Sequence, residues 1–249
     1  MQRISAGFAA LFLCSLGSVV AATQTITAAR FSQPTSRYDH GILGDAEEWG
    51  QLEIDVRGVS PDKASDVDAH HKATYLFRLP QDHVFEDVAP RLVDVTGDGR
   101  PEVIVVETDV RRGAALAIYD STGKLAETPH IGTRNRWLAP IGAADFDGDG
   151  HIEIAYIDRP HLAKTLRVWR YKDGRLREVA SLAGLTNHRI GERDIGGGLR
   201  SCAGLTEMVV ASGDWQRVMV VGFNTGKLVA RDAGPHRGRA SLNAALKCQ

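Results

Sequence analysis

The sequence is short of nearly everything that would name a chemistry at sight. It has three cysteines in 249 residues, without the paired spacing of a zinc ribbon or finger. No nucleophile elbow, metalloprotease motif or phosphate-binding loop is present, so no enzyme class is indicated by a local pattern. A catalytic pair drawn from distant segments would leave no such trace. Charge of one sign is also missing: 30 Lys and Arg stand against 31 Asp and Glu, a net −1 that becomes −2 without Arg3. That balance is too near zero to steer the chain to nucleic acid or an anionic membrane. No stretch reads as a long amphipathic helix.

The one strongly apolar run is at the start. Residues 1–22 combine Arg3, the run Phe8 to Leu16 and a small-residue end at Ala21 and Ala22, the pattern of a cleavable signal peptide. The alternative, a membrane anchor, falls short of the ~20 apolar residues a spanning helix needs, and Gly17 and Ser18 interrupt its end. Leu13 stands where a lipoprotein signal places a small residue before its cysteine, here Cys14. The expectation is a periplasmic or secreted protein with no membrane span after cleavage. In an oxidising compartment the remaining pair, Cys202 and Cys248, is best read as one disulfide tying the tail to the last repeat; free thiols or an intermolecular bridge are the alternatives. By loop entropy such a bond stabilises by about 4 kcal/mol.

What the sequence does have is a repeat. Asp94-Val-Thr-Gly-Asp-Gly-Arg-Pro-Glu recurs 51 residues later as Asp145-Phe-Asp-Gly-Asp-Gly-His-Ile-Glu, and each copy runs into an apolar, β-branched segment. A second strand follows at Ala115–Asp120 or Leu166–Tyr171, then a turn at Gly123 or Gly174 and a third strand at Leu125 or Leu176. Weaker copies flank this pair. Arg193 and Asp194 precede strands at Glu207–Ala211 and Val218–Gly222 but have lost the acidic loop, and Gly41–Asp45 precedes Leu52–Val56 and Thr74–Arg78 with a polar insertion from Arg57 to Lys72. Four modules result, at about 31–82, 83–133, 134–185 and 186–233, within one domain over 23–233 and before a tail at 234–249. An isolated module cannot bury its own faces, so neighbours must stack. The fold expected is all-β, a small β-propeller-like repeat of about four blades of antiparallel strands. An open β-solenoid or a two-sheet sandwich is the alternative.

The loops read as calcium sites. A hard divalent cation takes six to eight oxygens at ~2.3–2.6 Å. Asp145, Asp147, Asp149 and Glu153, with the His151 carbonyl, offer that set in one tight turn. Asp94, Asp98 and Glu102, with Thr96 and the Arg100 carbonyl, offer one carboxylate fewer, so the Asp145 loop is expected to bind more strongly. An EF-hand is excluded twice over. Its bidentate Glu at position 12 would fall on Val105 or Tyr156, and a strand, not a helix, follows each loop. A solvated acidic turn without metal is the bland reading, weakened by two copies in register.

With these residues in view the chain resembles the FG-GAP/VCBS repeats of integrin α-subunit propellers and of many exported bacterial proteins. The resemblance is specific in the two loops and weaker across the four modules. It implies a propeller-like fold, structural calcium between outer strands, and binding or adhesion roles; it brings no enzymatic activity.

The module connections carry the best ligand candidates: Arg37, Tyr38 and His40; His83, Phe85 and Glu86; Arg134, Asn135, Arg136 and Trp137; Asn187, His188 and Arg189. Of these, His40, Arg134, Arg136, Trp137, His188 and Arg189 are the chosen ligand set. Gathered on one face they make a cationic and aromatic surface for an anionic or sugar-like ligand or a protein partner; the alternative is packing between blades. His70 and His71, beside Asp66 and Asp68, suggest a transition metal at first sight, though neighbouring loop side chains more often point apart. The tryptophans Trp49, Trp137, Trp169 and Trp215 read as core or inter-blade packing, and Gly196–Gly198 as a tolerant turn rather than a phosphate nest. The expectation is thus a non-catalytic, calcium-stabilised binding or scaffold module with a protein or carbohydrate partner. The alternative is an exported hydrolase or lyase acting on an envelope sugar or anionic ester through the basic and aromatic face.

Overall fold

A computed structural model describes residues 24–59, 70–202 and 204–248. The signal peptide expected at 1–22 lies outside the described residues, as do Asp66, Asp68 and the side chains of His70 and His71, on which the metal reading of that insertion rests.

The described chain is built almost wholly of antiparallel strands in three sheets. Two 12-residue strands, β1 (Gln24–Thr35) and β2 (Glu48–Val59), form a ribbon, with β3 (His70–Arg78) on the far side of β2. Through the single pairing of Trp49 with Phe85, β2 joins β4 (His83–Phe85). The sheet then continues through β6 (Glu102–Asp109), β7 (Gly113–Asp120) and β8 (Gly123–Glu127), with β5 (Arg91–Val93) also on β6. Strands of the first two sequence modules thus share one sheet. The second sheet runs β9 (Leu138–Ala144), β10 (Glu153–Asp158), β11 (Thr165–Lys172) and β12 (Arg175–Ala183). In the third, β13 (Leu185–Thr186) and β14 (Gly198–Cys202) both pair with β15 (Leu205–Ser212), followed by β16 (Arg217–Asn224) and β17 (Lys227–Pro235).

These are propeller-like blades packed face to face, and the residue pattern shows why. Every residue of β6 and of β10 is buried, so the unbroken runs Val103–Val106 and Ile154–Ile157 are needed to face a core on both sides. Ile104, Val106, Leu116 and Ile118 of the first sheet pack on Leu138, Ile154, Tyr156 and Trp169 of the second. From the other face of the second sheet, Ile157, Leu166 and Val168 meet Met208, Val210, Val221 and Phe223 of the third. The outermost strand β12, which alternates polar and apolar, is far more exposed.

The tail is ordered. Helix α1 (Arg239–Leu246) lays Leu242 and Ala245 against Val209, Val218 and Val220, covering the face of the third sheet that no blade covers. A disulfide between Cys202 and Cys248 then closes the tail onto β14, as expected, across a separation of 46 residues. Gly197 is required there for close approach: a Cβ on it would run into the Val209 carbonyl. Gly196 is similarly hemmed in by Asn187 and Arg239, so packing accounts for the first two glycines of the run.

Candidate metal loops and ligand pocket

The strands β6 and β10 each begin at an acidic loop and end at the opposite side of the molecule, so the two candidate sites are separated by the strand length. At the loop end, Asp94 accepts the amides of Gly97, Asp98 and Gly99 at 2.7, 3.2 and 2.8 Å. Asp145 does the same with Gly148, Asp149 and Gly150 at 2.7, 3.1 and 2.9 Å. The turn is possible because Gly148 and Gly150 sit at φ 77° and 85°, matched by Gly97 and Gly99. The glutamate at position nine opens the strand in each case. Glu102 accepts the amides of Val95 and Thr96, and Glu153 that of Phe146. Burial pushes both carboxyls above the usual range, against the pull of those amides.

The loops differ in their cations. Arg170, the register partner of Glu153 on β11, places its guanidinium among three carboxylates: Glu153 at 2.5 Å, Asp149 at 2.7 Å and Asp147 at 2.8 Å. In the Asp94 loop, among the described residues, Arg100 pairs only with Asp98, at 2.6 Å on the surface. The strand facing Glu102 offers Tyr119 and Asp120 instead of an arginine. Asp145, Asp147 and Asp149 each bring a carboxylate oxygen within 4.8 Å of the others, and Asp147 Oδ1 is buried with no hydrogen-bond partner among the described residues. An all-oxygen set with an orphaned buried oxygen fits a hard cation such as calcium. Thr96 Oγ1 lies 3.3 Å from Glu102 Oε1 and 3.5 Å from Asp94 Oδ1, as a hydroxyl substitute for the missing acid would. The amides of Arg100 and His151 donate to Asp98 and Asp149.

At the other end the connections meet. A cavity of about 300 Å³ is lined by His40, Arg136 and Trp137 from two of them, with Ile42, Arg159, His161, Leu162 and Ile190. His40 is held from behind: its Nδ1 lies 2.5 Å from Oε1 of Glu86, whose side chain is fully buried and also takes the Thr108 hydroxyl at 2.7 Å. Trp137 is buried and donates its Nε1 hydrogen to the Glu86 carbonyl. His188 lies beneath, edge-on to Trp137 at 4.9 Å and 3.2 Å from His161 Nε2. Burial pushes Glu86 up, against the hydrogen bonds from His40 and Thr108, and holds His188 below and His161 well below the ordinary imidazole range, the latter at about 4. Glu48, buried nearby, is pushed up to about 9 by desolvation and by Glu86, Asp45 and Asp87.

The chosen ligand set therefore divides. His40, Arg136 and Trp137 reach the cavity and His188 supports it. Arg134 is exposed and not among the lining residues, paired with Asp39 at 2.8 Å. Arg189 turns away, its guanidinium 4.3 Å over the Trp215 ring. The sequence reading missed Arg159, His161 and Leu162, because they belong to a hairpin within a module and only connections between modules were considered. It also missed Arg170, since the antiparallel register, and not sequence spacing, brings it to the loop.

Residues 94–156, both loops and the strands between them, match the FG-GAP-like repeat family. Among solved structures, the crystal structure of exotype rhamnogalacturonan lyase YesX is similar in outline. It is 16% identical, with a TM-score of 0.41 over 86% of this chain and 48% of that one. The chain thus spans about half the length of that neighbour, and the likeness adds nothing to the strand topology. No curated protein matches the sequence.

Proposed function

We propose that the chain is an exported repeat domain, stabilised by calcium in its two acidic loops, whose task is to bind an anionic or sugar-like ligand in the pocket beneath its module connections. The observation that carries the binding role is the convergence of separate connections on one cavity of about 300 Å³, within the size range of small-ligand sites. Its chemistry supports the ligand class. Arg159 is neutralised by Asp158 through contacts at 2.8 and 3.0 Å, while Arg136 has no carboxylate partner among the described residues and is left to meet an anion. Leu162 and Ile190, strongly exposed at the rim, suit the apolar face of a sugar ring. The disulfide is in keeping with export, and no helix among the described residues is long and apolar enough to cross a membrane.

The test is a binding screen of acidic and neutral oligosaccharides against the full chain. Saturable binding that Arg136→Ala and Leu162→Asp abolish without loss of fold is expected. Binding indifferent to both substitutions removes the pocket assignment.

A second reading, a hydrolase or lyase acting on an envelope sugar or anionic ester, is favoured by one arrangement. A buried carboxylate that fixes an imidazole on a pocket wall is how a general base is oriented, and Glu86 does this to His40. Turnover of a uronate-containing oligosaccharide, lost in His40→Gln with binding retained, selects this reading; binding without turnover selects the first.

A further inference from the structure

We propose that His83, Asp109 and His130 form a site for a divalent transition-metal ion of the zinc class, at the end of β6 remote from its acidic loop. One ligand atom of each residue lies within 4.8 Å of the other two. His83 Nε2 is 3.8 Å from Asp109 Oδ2, and the two imidazoles meet edge to face at 5.9 Å between centroids. The juxtaposition is built by the sheet: His83 opens β4 directly opposite Asp109, which ends β6, and His130 arrives in the segment between β8 and β9.

The remaining nitrogens are already committed, which is the mark of a prepared ligand set. His130 Nδ1 lies 2.7 Å from the Gly113 carbonyl. A carbonyl only accepts, so that nitrogen carries a proton, which makes Nε2 the ligand atom whenever the ring binds a metal. His83 Nδ1 lies 2.9 Å from Asp82 Oδ1, which fixes the same tautomer. Carbonyl and carboxylate acceptors behind the ring orient metal-bound histidines in this way. Two imidazoles and one carboxylate suit a borderline-soft ion and differ from the all-oxygen set of the loops.

Asp109 has other partners. Its Oδ1 takes the amides of Arg111 and Arg112 at 2.7 and 3.0 Å, and its Oδ2 takes Arg112 Nε at 2.6 Å. The Arg112 side chain is 57% exposed, free to swing into water and release Oδ2. In this site Arg112 is a competitor of the ion.

The experiment is titration of the full chain with Co²⁺, a coloured stand-in for Zn²⁺, in excess calcium so that the oxygen loops are saturated. One equivalent giving visible ligand-field bands, displaced by Zn²⁺, is expected. His130→Gln should abolish the bands, Asp82→Asn should weaken binding ~10–100-fold, and Arg112→Ala should tighten it. No bands with the folded wild type, or bands unaltered by His130→Gln, overturn the proposal. If His130→Gln does not fold, the surface variant decides: unchanged or weaker Co²⁺ binding in Arg112→Ala is equally contrary.

Discussion

The Asp94 and Asp145 loops have the same backbone skeleton and different charge. In both, the first aspartate gathers three amide hydrogens and the ninth residue, a glutamate, anchors the turn to a buried strand. Only the Asp145 loop has Arg170 driven into its carboxylates, and only the Asp94 loop has exchanged an acid for Thr96. Carboxylate count therefore does not rank the two sites by itself. The loop richer in acids also holds the cation that competes for them, so the difference in calcium affinity is expected to be narrower than four acids against three would give.

The largest break between the loops should come from Glu153→Gln. Glu153 is buried and ion-paired, whereas Glu102 has hydrogen bonds but no ion-pair partner among the described residues. Without calcium, Glu153→Gln should cost roughly 2–3 kcal/mol, discounted for the partial exposure of Arg170, and Glu102→Gln about 1 kcal/mol. Denaturant unfolding of the two variants checks the order. Next, Arg170→Leu should raise the calcium affinity of the Asp145 loop by at least ~10-fold, since a unit charge ~4 Å from a site is worth several kcal/mol at moderate dielectric before screening. Calorimetric titration measures this directly, and weaker binding would mean that Arg170 supports the ion. Arg100→Ala should have the smallest effect, a shift near the error of the same titration, because the Asp98 pair is 40% exposed on both sides.

Much of the fold was legible because strands and turns write themselves locally. The runs after Glu102 and Glu153 and the turns at Gly123 and Gly174 all became strands or their hinges in the structure. The disulfide was legible because Cys202 and Cys248 are the only cysteines outside the leader expected at residues 1–22, which leaves few choices. The sharing of one sheet by the first two modules was not, since it rests on the Trp49 and Phe85 pairing and on strand lengths that no motif fixes. Nor was α1, whose eight residues bury only Leu242 and Ala245 and leave no periodic signature. At the pocket, His40, Arg136 and Trp137, which line the cavity, lie in connections that the sequence singled out. It could not show that Arg189 prefers the Trp215 ring or that a hairpin delivers His161, because both depend on how blades stack. The cluster of His83, Asp109 and His130 stayed hidden for the same reason: its members are far apart in sequence and meet only through register.

If the two loops hold calcium and the blades depend on it, the ion must raise the stability of the whole chain. Thermal unfolding of the chelator-treated full chain, with and without calcium at about a hundred times its dissociation constant, measures this. Each occupied site should contribute about 2.7 kcal/mol, and a rise of roughly 5–10 °C per site is predicted for a domain of this size. Melting curves that superimpose with and without calcium would mean that the loops are acidic turns and that the blades stand without a metal.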